Sequence, residues 1–396
     1  MTDQKIHSLD GLRGIAALFV VFAHIFTMFC SYLHIGLLSK QTPGKLAESI
    51  FNSPFTFFYK GNSAVMLFFV MSGFVLSYSI IRKGITQDFL RTAVVKRYIR
   101  LNLPVAVSIL ICFILMSVGI FTFKGSGITL PLSSAYSGDA NLLDAVRQGL
   151  YGSIIFGQQQ FNYVLWTIRI EFFGSLLVFF LLAFFGDSIN KLRTICLIIT
   201  FSTIFGGHAE IWPAGLFSSG VFLATFEVYN GKSKLRMWIA VLLLIVGLYL
   251  FGFNPDSKSY LYLQNKINYV SINWILIYSR DFMPIIGVLM ITSCIVIYNN
   301  IFSIICTKPF QWLGKLSFSI YLLHTMAIAA IAPFVIKFVG AGVEGVILCI
   351  AAVFPLTIIF GYYFYKHVDL RSVELSRTLS SFFCKRKSKQ HEAWVK

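Results

Sequence analysis

Four groups of residues have the types and spacing for chemistry. The first lies in LDGLRGIAALFVVFAHI, residues 9–25. At 100° per residue, Asp10 and Arg13 share one face of a helix. His24 follows Arg13 by eleven residues, about three turns, on that same face and about 16 Å further along the axis. An imidazole halfway through an apolar run is costly, so it either serves chemistry as a proton acceptor or ties helices together. The second group is VKRYIRLNLP, residues 95–104, where Arg97 and Arg100 are i,i+3 neighbours. Paired guanidinium forks suit phosphate, and the same two charges also suit anchoring at a membrane surface. The third is LWTIRIEFFGSL, residues 165–176. Trp166 suits an interface, while Arg169 and Glu171 enter an apolar run. At i,i+2 they do not face one another, so each needs a partner elsewhere. Glu171 then belongs either to an interhelical ion pair or to the binding and activation of a polar acceptor from the outer side. The fourth is LSFSIYLLHTMAI, residues 316–328, where Tyr321 and His324 are i,i+3 neighbours inside a span. A hydrogen bond between helices is the plainer use of that pair.

These residues sit in a chain of 396 that is 57% hydrophobic and 12% charged, with a mean hydropathy of +0.76. Soluble domains carry about twice that share of charge, so the composition is that of a membrane protein. The 33 Lys and Arg outnumber the 16 Asp and Glu, yet they lie in short loops between apolar runs. That excludes a nucleic-acid surface and fits positive-inside topology.

On a length criterion of about 20 residues per crossing, ten candidate spans emerge. They lie near 12–33, 63–81, 102–123, 166–185, 192–206, 211–229, 235–253, 282–299, 316–338 and 343–365. The expected fold is therefore an all-α, polytopic integral membrane protein with about ten transmembrane helices and both termini cytoplasmic. Residues 1–370 would form the membrane domain and 371–396 a basic cytoplasmic tail, whose CKRKSKQ run suits anionic headgroups. The apolar N-terminal run is too long and too charged for a signal peptide and is kept as the first span. The outer segments 34–62, 124–165 and 254–281 offer no second domain.

Several chemistries are missing. The seven cysteines form no C-x-x-C pair, so neither zinc nor a disulfide framework is expected, and no metal is assigned. There is no G-x-S-x-G elbow. The GKS at 231–233 has Phe226 where a P-loop needs glycine. No histidine is followed five residues later by aspartate. A buried base without a neighbouring Ser or Cys nucleophile points to direct transfer between two bound substrates, with a covalent intermediate left open. A proton-coupled carrier using His24, Arg169 and Glu171 is the competing class, although no internal repeat supports one.

The stretch at residues 9–25 resembles the first span of the membrane acyltransferase-3 family. FFVMSGFVLS, residues 68–77, resembles its second span, and Arg97 and Arg100 match its R-x-x-R motif. LWTIRIEFFGSL resembles its tryptophan-to-glutamate segment, and LGKLSFSIYLLHT, residues 313–325, its late histidine span. The matches keep family order from residue 9 to about 370. TIRIEFFGSL departs from the commoner SLSVEEQFYL type, Asp369 stands where many relatives have glutamate, and no hydrolase-like domain is expected after the last span. The resemblance implies acetyl-CoA as donor, reached from the cytoplasm, and a hydroxyl of a cell-envelope glycan such as an O-antigen, capsule or exopolysaccharide precursor as acceptor. It implies a bacterial inner membrane. Arg13, Arg97 and Arg100 would hold the donor's phosphates. His24 would be the general base, with Glu171 beside it in the catalytic set, and Asp10, Trp166, Tyr321 and His324 would line the acceptor side. The expected partners are that glycan and membrane lipid; self-association is left open.

Overall fold

The structure, a computed structural model, describes residues 7–39, 44–121, 136, 138, 140–206, 210–229, 237–267, 269–272, 275–297 and 304–381. Among these, ten helices have fifteen residues or more. They are α1 (His7–Phe29), α2 (Gly61–Lys83), α3 (Gln87–Ser117), α4 (Trp166–Phe185) and α5 (Ile189–Ile204). The rest are α6 (Trp212–Tyr229), α7 (Met237–Phe251), α8 (Ser279–Ile297), α9 (Lys308–Val339) and α10 (Val343–Phe364). Each expected span falls on one of them. Six segments are long and apolar enough to cross a membrane: α1, α2, Leu90–Ser117 of α3, Tyr163–Phe185, α9 and Val343–Ser381. The apolar stretches of α7 and α8 are shorter, as is α5. Helix continues from α10 through a π turn, Tyr365–Asp369, and on to Ser381, so the chain runs unbroken through residue 370. Outside the spans, β1 (Tyr269–Ile272) and β2 (Ile275–Tyr278) form an antiparallel hairpin with Tyr269 opposite Tyr278. The CKRKSKQ run lies outside the described residues.

Helix α1 is central because its sequence carries two apolar stripes at helical spacing. Leu9, Leu12, Ala16 and Val20 join a core built mainly with α2, α6 and α8. Ala17, Val21, Ile25 and Met28 join a second core with α3, α9 and α10. In lipid the drive for such packing is close van der Waals contact, so small residues govern where helices meet. The contact of α1 with α9 shows this directly. A Cβ on Gly14 would stand 2.8 Å from the Gly314 nitrogen, and one on Gly314 would strike the Asp10 carbonyl. The two helices thus run side by side, parallel, with residue 14 level with residue 314. Ten residues further along each helix, about 15 Å at the common rise, stand His24 and His324. Glycine also lets α2 approach α6, where Cβ atoms on Gly73 and Gly220 would meet the backbone at Phe217 and Val70.

A large side chain at this contact must push the two helices apart. We expect Gly314→Leu to lower the stability of the detergent-solubilised protein by about 1–3 kcal/mol, the cost of overpacking. Thermal unfolding checks it, and an unchanged midpoint would show that the close approach is dispensable.

The segment before α4 also enters the bundle. Tyr136 donates to Thr325 Oγ1 (2.9 Å), and Asn162 Nδ2 donates to the Leu322 carbonyl (2.8 Å). Asn162 Oδ1 accepts from Thr325 (3.3 Å) and from the backbone of Val164 (3.4 Å), which starts the short turn Tyr163–Leu165. One loop asparagine therefore pins the start of α4 to the turn of α9 that carries His324.

Candidate active site

A cavity of about 480 Å³ lies among α1, α2, α3, α4, α9 and the extension of α10. Its rim holds the N-terminal end of α1 (Leu9, Asp10, Arg13), the C-terminal end of α2 (Tyr78, Arg82) and Leu370 and Val373. Five cations, Arg13, Arg82, Arg97, Arg100 and Lys315, face it against three carboxylates, Asp10, Glu171 and Asp369. The size suits a small-molecule ligand, and the surplus of cations suits an anionic one.

One ion pair and one looser charge cluster order the site. On α4, Glu171 and Ser175 are i,i+4 and present one face to Arg97. Arg97 donates through Nη2 to Glu171 Oε1 and through Nε to Ser175 Oγ (2.8 Å). Ser72 of α2 donates to the same Glu171 oxygen (2.6 Å). Arg100, one turn on from Arg97, lies in the field of Asp369, which in turn feels Arg100 and Arg13. The π turn Tyr365–Asp369 delivers that carboxylate, since an extra residue in the turn re-aims what it carries.

The inner end of the cavity is closed by polar contact. The hydroxyls of Tyr321 and Thr167 lie 2.9 Å apart, and each reaches the Val164 carbonyl, at 3.1 and 3.0 Å. Behind Tyr321, one turn along α9, is His324. Its ring lies 5.8 Å from that of Tyr321 and 5.2 Å from that of His24. The edge of Tyr163 meets His24 at 5.6 Å and 89°. A cationic mouth about 15 Å from a pair of imidazoles suits a ligand that is anionic at one end and extended toward the histidines at the other.

Comparison with known proteins decides the class. A family profile described as an acyltransferase domain matches residues 6–366. The chain belongs to the acyltransferase-3 family. O-acetyltransferase PaAT-1 of Phomopsis amygdali is 24% identical over 434 aligned residues, covering 94% of this chain and 85% of that protein. No solved structure matches. The protein is thus a multi-pass membrane acyltransferase, and the carrier reading gives way to it.

Within this acyltransferase, Arg13, Arg97 and Arg100, expected at the donor, line one cavity together with Asp10 and Tyr321, expected on the acceptor side, and with Glu171. His24 and His324 meet one layer behind it. Trp166 heads α4, packed against the apolar core and off the cavity wall. The placement of Glu171 differs from the expectation of an outer position. It sits among the arginines because α4 starts deep in the bundle, where Asn162 pins it, and because α3 begins at Gln87, well before Arg97. Arg169 faces outward, with its guanidinium 6.0 Å from the Phe173 ring. Ser72, Ser175 and Asp369 escape sequence reasoning. Serines are common in packed spans, and Asp369 lies past the last expected span, where sequence alone gives it no partner.

A second polar cluster lies beyond the far end of α1. His34 Nε2 donates to the Ala23 carbonyl (2.9 Å), and its ring meets Tyr59 at 5.8 Å. Burial, helped by the charge of Lys60, pushes His34 down to about 4. Burial likewise lowers Lys60 to about 8, against the pull of Asp256. His34 is therefore neutral at pH 7, and its hydrogen bond anchors the carbonyl next to His24.

Proposed function

We propose that the acyltransferase moves an acetyl group from acetyl-CoA to a hydroxyl of a cell-envelope glycan, working in a bacterial inner membrane with both termini cytoplasmic. The observation that carries the reading is the alignment of a cationic mouth with a deeper histidine pair along two parallel helices. Arg13 and Arg100 would take the donor's phosphates, Arg97 would add to the field, and the pantetheine arm would run inward toward Tyr321. The positive-inside pattern puts that mouth on the cytoplasmic side. The family resemblance and the O-acetyltransferase relative support the acetyl donor, and the resemblance alone supports a glycan acceptor.

His24 is the base in this scheme. It takes the proton of the acceptor hydroxyl as the oxygen adds to the thioester carbonyl, and the tetrahedral adduct collapses by breaking the C–S bond. The imidazolium then protonates the leaving thiolate, so no net proton is produced. Tyr321 and Thr167 stand between the cavity and His24, where they would narrow the path to the thioester arm and limit water.

Mass spectrometry of envelope glycans with and without the gene tests the acceptor. Loss of one acetyl mass per modified sugar is expected, and identical spectra would remove the glycan from the scheme. For the donor, Arg100→Gln should weaken acetyl-CoA binding to the purified protein about 10- to 100-fold, since a hydrogen bond to a charged group contributes about 1.5–3 kcal/mol. Unchanged affinity would place the phosphates elsewhere.

A further inference from the structure

The buried ring of His324 has one nitrogen fully committed and the other unused. Nδ1 faces two carbonyls of its own helix, Ile320 (3.1 Å) and Tyr321 (2.8 Å). Carbonyls only accept, so Nδ1 carries the proton and Nε2 presents a bare lone pair. The residue is 0% exposed, and Nε2 has no hydrogen-bond partner among the described residues. A buried acceptor of this kind calls for a donor, because no bulk water replaces one. The ring of His24 lies 5.2 Å away between centroids; the structure shows no N–H···N bond to Nε2, and turning one nitrogen of each ring toward the other brings the two within hydrogen-bond reach.

We propose that His324 is the positioning partner of His24: its Nε2 accepts the single N–H of neutral His24 and so fixes the tautomer that leaves the other His24 nitrogen free. This inference rests on the reading of His24 as the base. A neutral imidazole has one proton and two nitrogens, and only the tautomer with its lone pair toward the acceptor hydroxyl can take a proton. A carboxylate commonly holds a histidine in this way. A neutral imidazole, itself locked by two backbone carbonyls, does so here without placing a second charge in the bundle. When His24 becomes the imidazolium, the same N–H still points at the His324 lone pair, so the transient cation keeps its partner through the step. The glycine contact at residues 14 and 314 sets the two rings at one level, and the Asn162–Thr325–Tyr136 bonds hold the α9 turn that carries His324.

The test uses the full-length protein in detergent micelles with 15N-labelled histidine. Spectra of His24→Ala identify the His24 nitrogens. A single His24 tautomer is expected in the native protein, and a mixture in His324→Leu. Transfer of labelled acetyl from acetyl-CoA into the glycans of membranes carrying His324→Leu should fall about 10- to 100-fold in kcat, the usual effect of removing an outer partner, with KM for acetyl-CoA unchanged. His324→Gln sets an amide oxygen near the place of Nε2 and should recover part of the rate and the single tautomer. Two tautomers in the native protein, unchanged His24 nitrogens in His324→Leu, or equal impairment of the Leu and Gln variants would overturn the proposal. Loss of transfer in His24→Ala with native rates in His324→Leu would reject the partner alone, whereas full transfer in His24→Ala would reject the base and the partner together.

Discussion

His24→Ala should abolish acetyl transfer while leaving the protein in the membrane at its normal level. The side chain is only part-buried, and its contacts are ring contacts with Tyr163 and His324. Its truncation therefore removes little that holds α1 in place, because the helix is fixed by Leu9, Leu12, Ala16 and Val20 on one side and Ala17, Val21, Ile25 and Met28 on the other. On the proposed role the variant loses the group that would take the hydroxyl proton, and general-base catalysis contributes about 10²–10⁴ in rate. The measurement is acetyl content of the envelope glycans in cells that carry only the variant, with membrane abundance followed in parallel. Transfer within a few-fold of native at equal abundance would end the assignment of His24 as base.

Glu171→Gln should produce the largest change in stability. Arg97 and Glu171 have side chains only 11% and 15% exposed, and Ser72 and Ser175 complete their hydrogen bonds. Removing the carboxylate leaves a guanidinium charge inside the bundle with no counter-ion at its Nη2, a loss of about 3 kcal/mol or more. Replacing both partners, Arg97→Gln with Glu171→Gln, removes the stranded charge and should recover most of that loss. Thermal unfolding of the two single variants and the double variant measures the coupling. Additive losses would mean that the pair contributes nothing beyond its members. The double variant also separates the pair's structural role from a role on substrate. If it unfolds at the native temperature yet transfers no acetyl, at least one of the two side chains acts on a substrate as well as on its partner.

Much of this arrangement is legible in residue types. An apolar run bearing a histidine, an R-x-x-R pair and a glutamate entering a span each flag an interior that is not lipid, because lipid tolerates none of them unpaired. The helix count comes from run length in the same way, although α5, α7 and α8 are short for full crossings. Sequence periodicity does not carry depth. Its place at the start of a span points Glu171 to the outer side, and α4 in fact starts inside the bundle, which brings Glu171 to Arg97. That displacement comes from Asn162, a loop residue whose bond to the Leu322 carbonyl spans 160 positions of chain. The pairing of His24 with His324 is equally hidden, since it depends on the register that Gly14 and Gly314 set between two distant helices. Asp369 reaches the cavity through a π turn, for which the sequence has no periodic mark.

The contact between α1 and α9 also constrains how the protein is made. Residue 14 must wait for residue 314, so the innermost helix enters the bilayer long before the surface it fits has been synthesised. A chain that stops short of residue 324 thus lacks the ring that His24 meets.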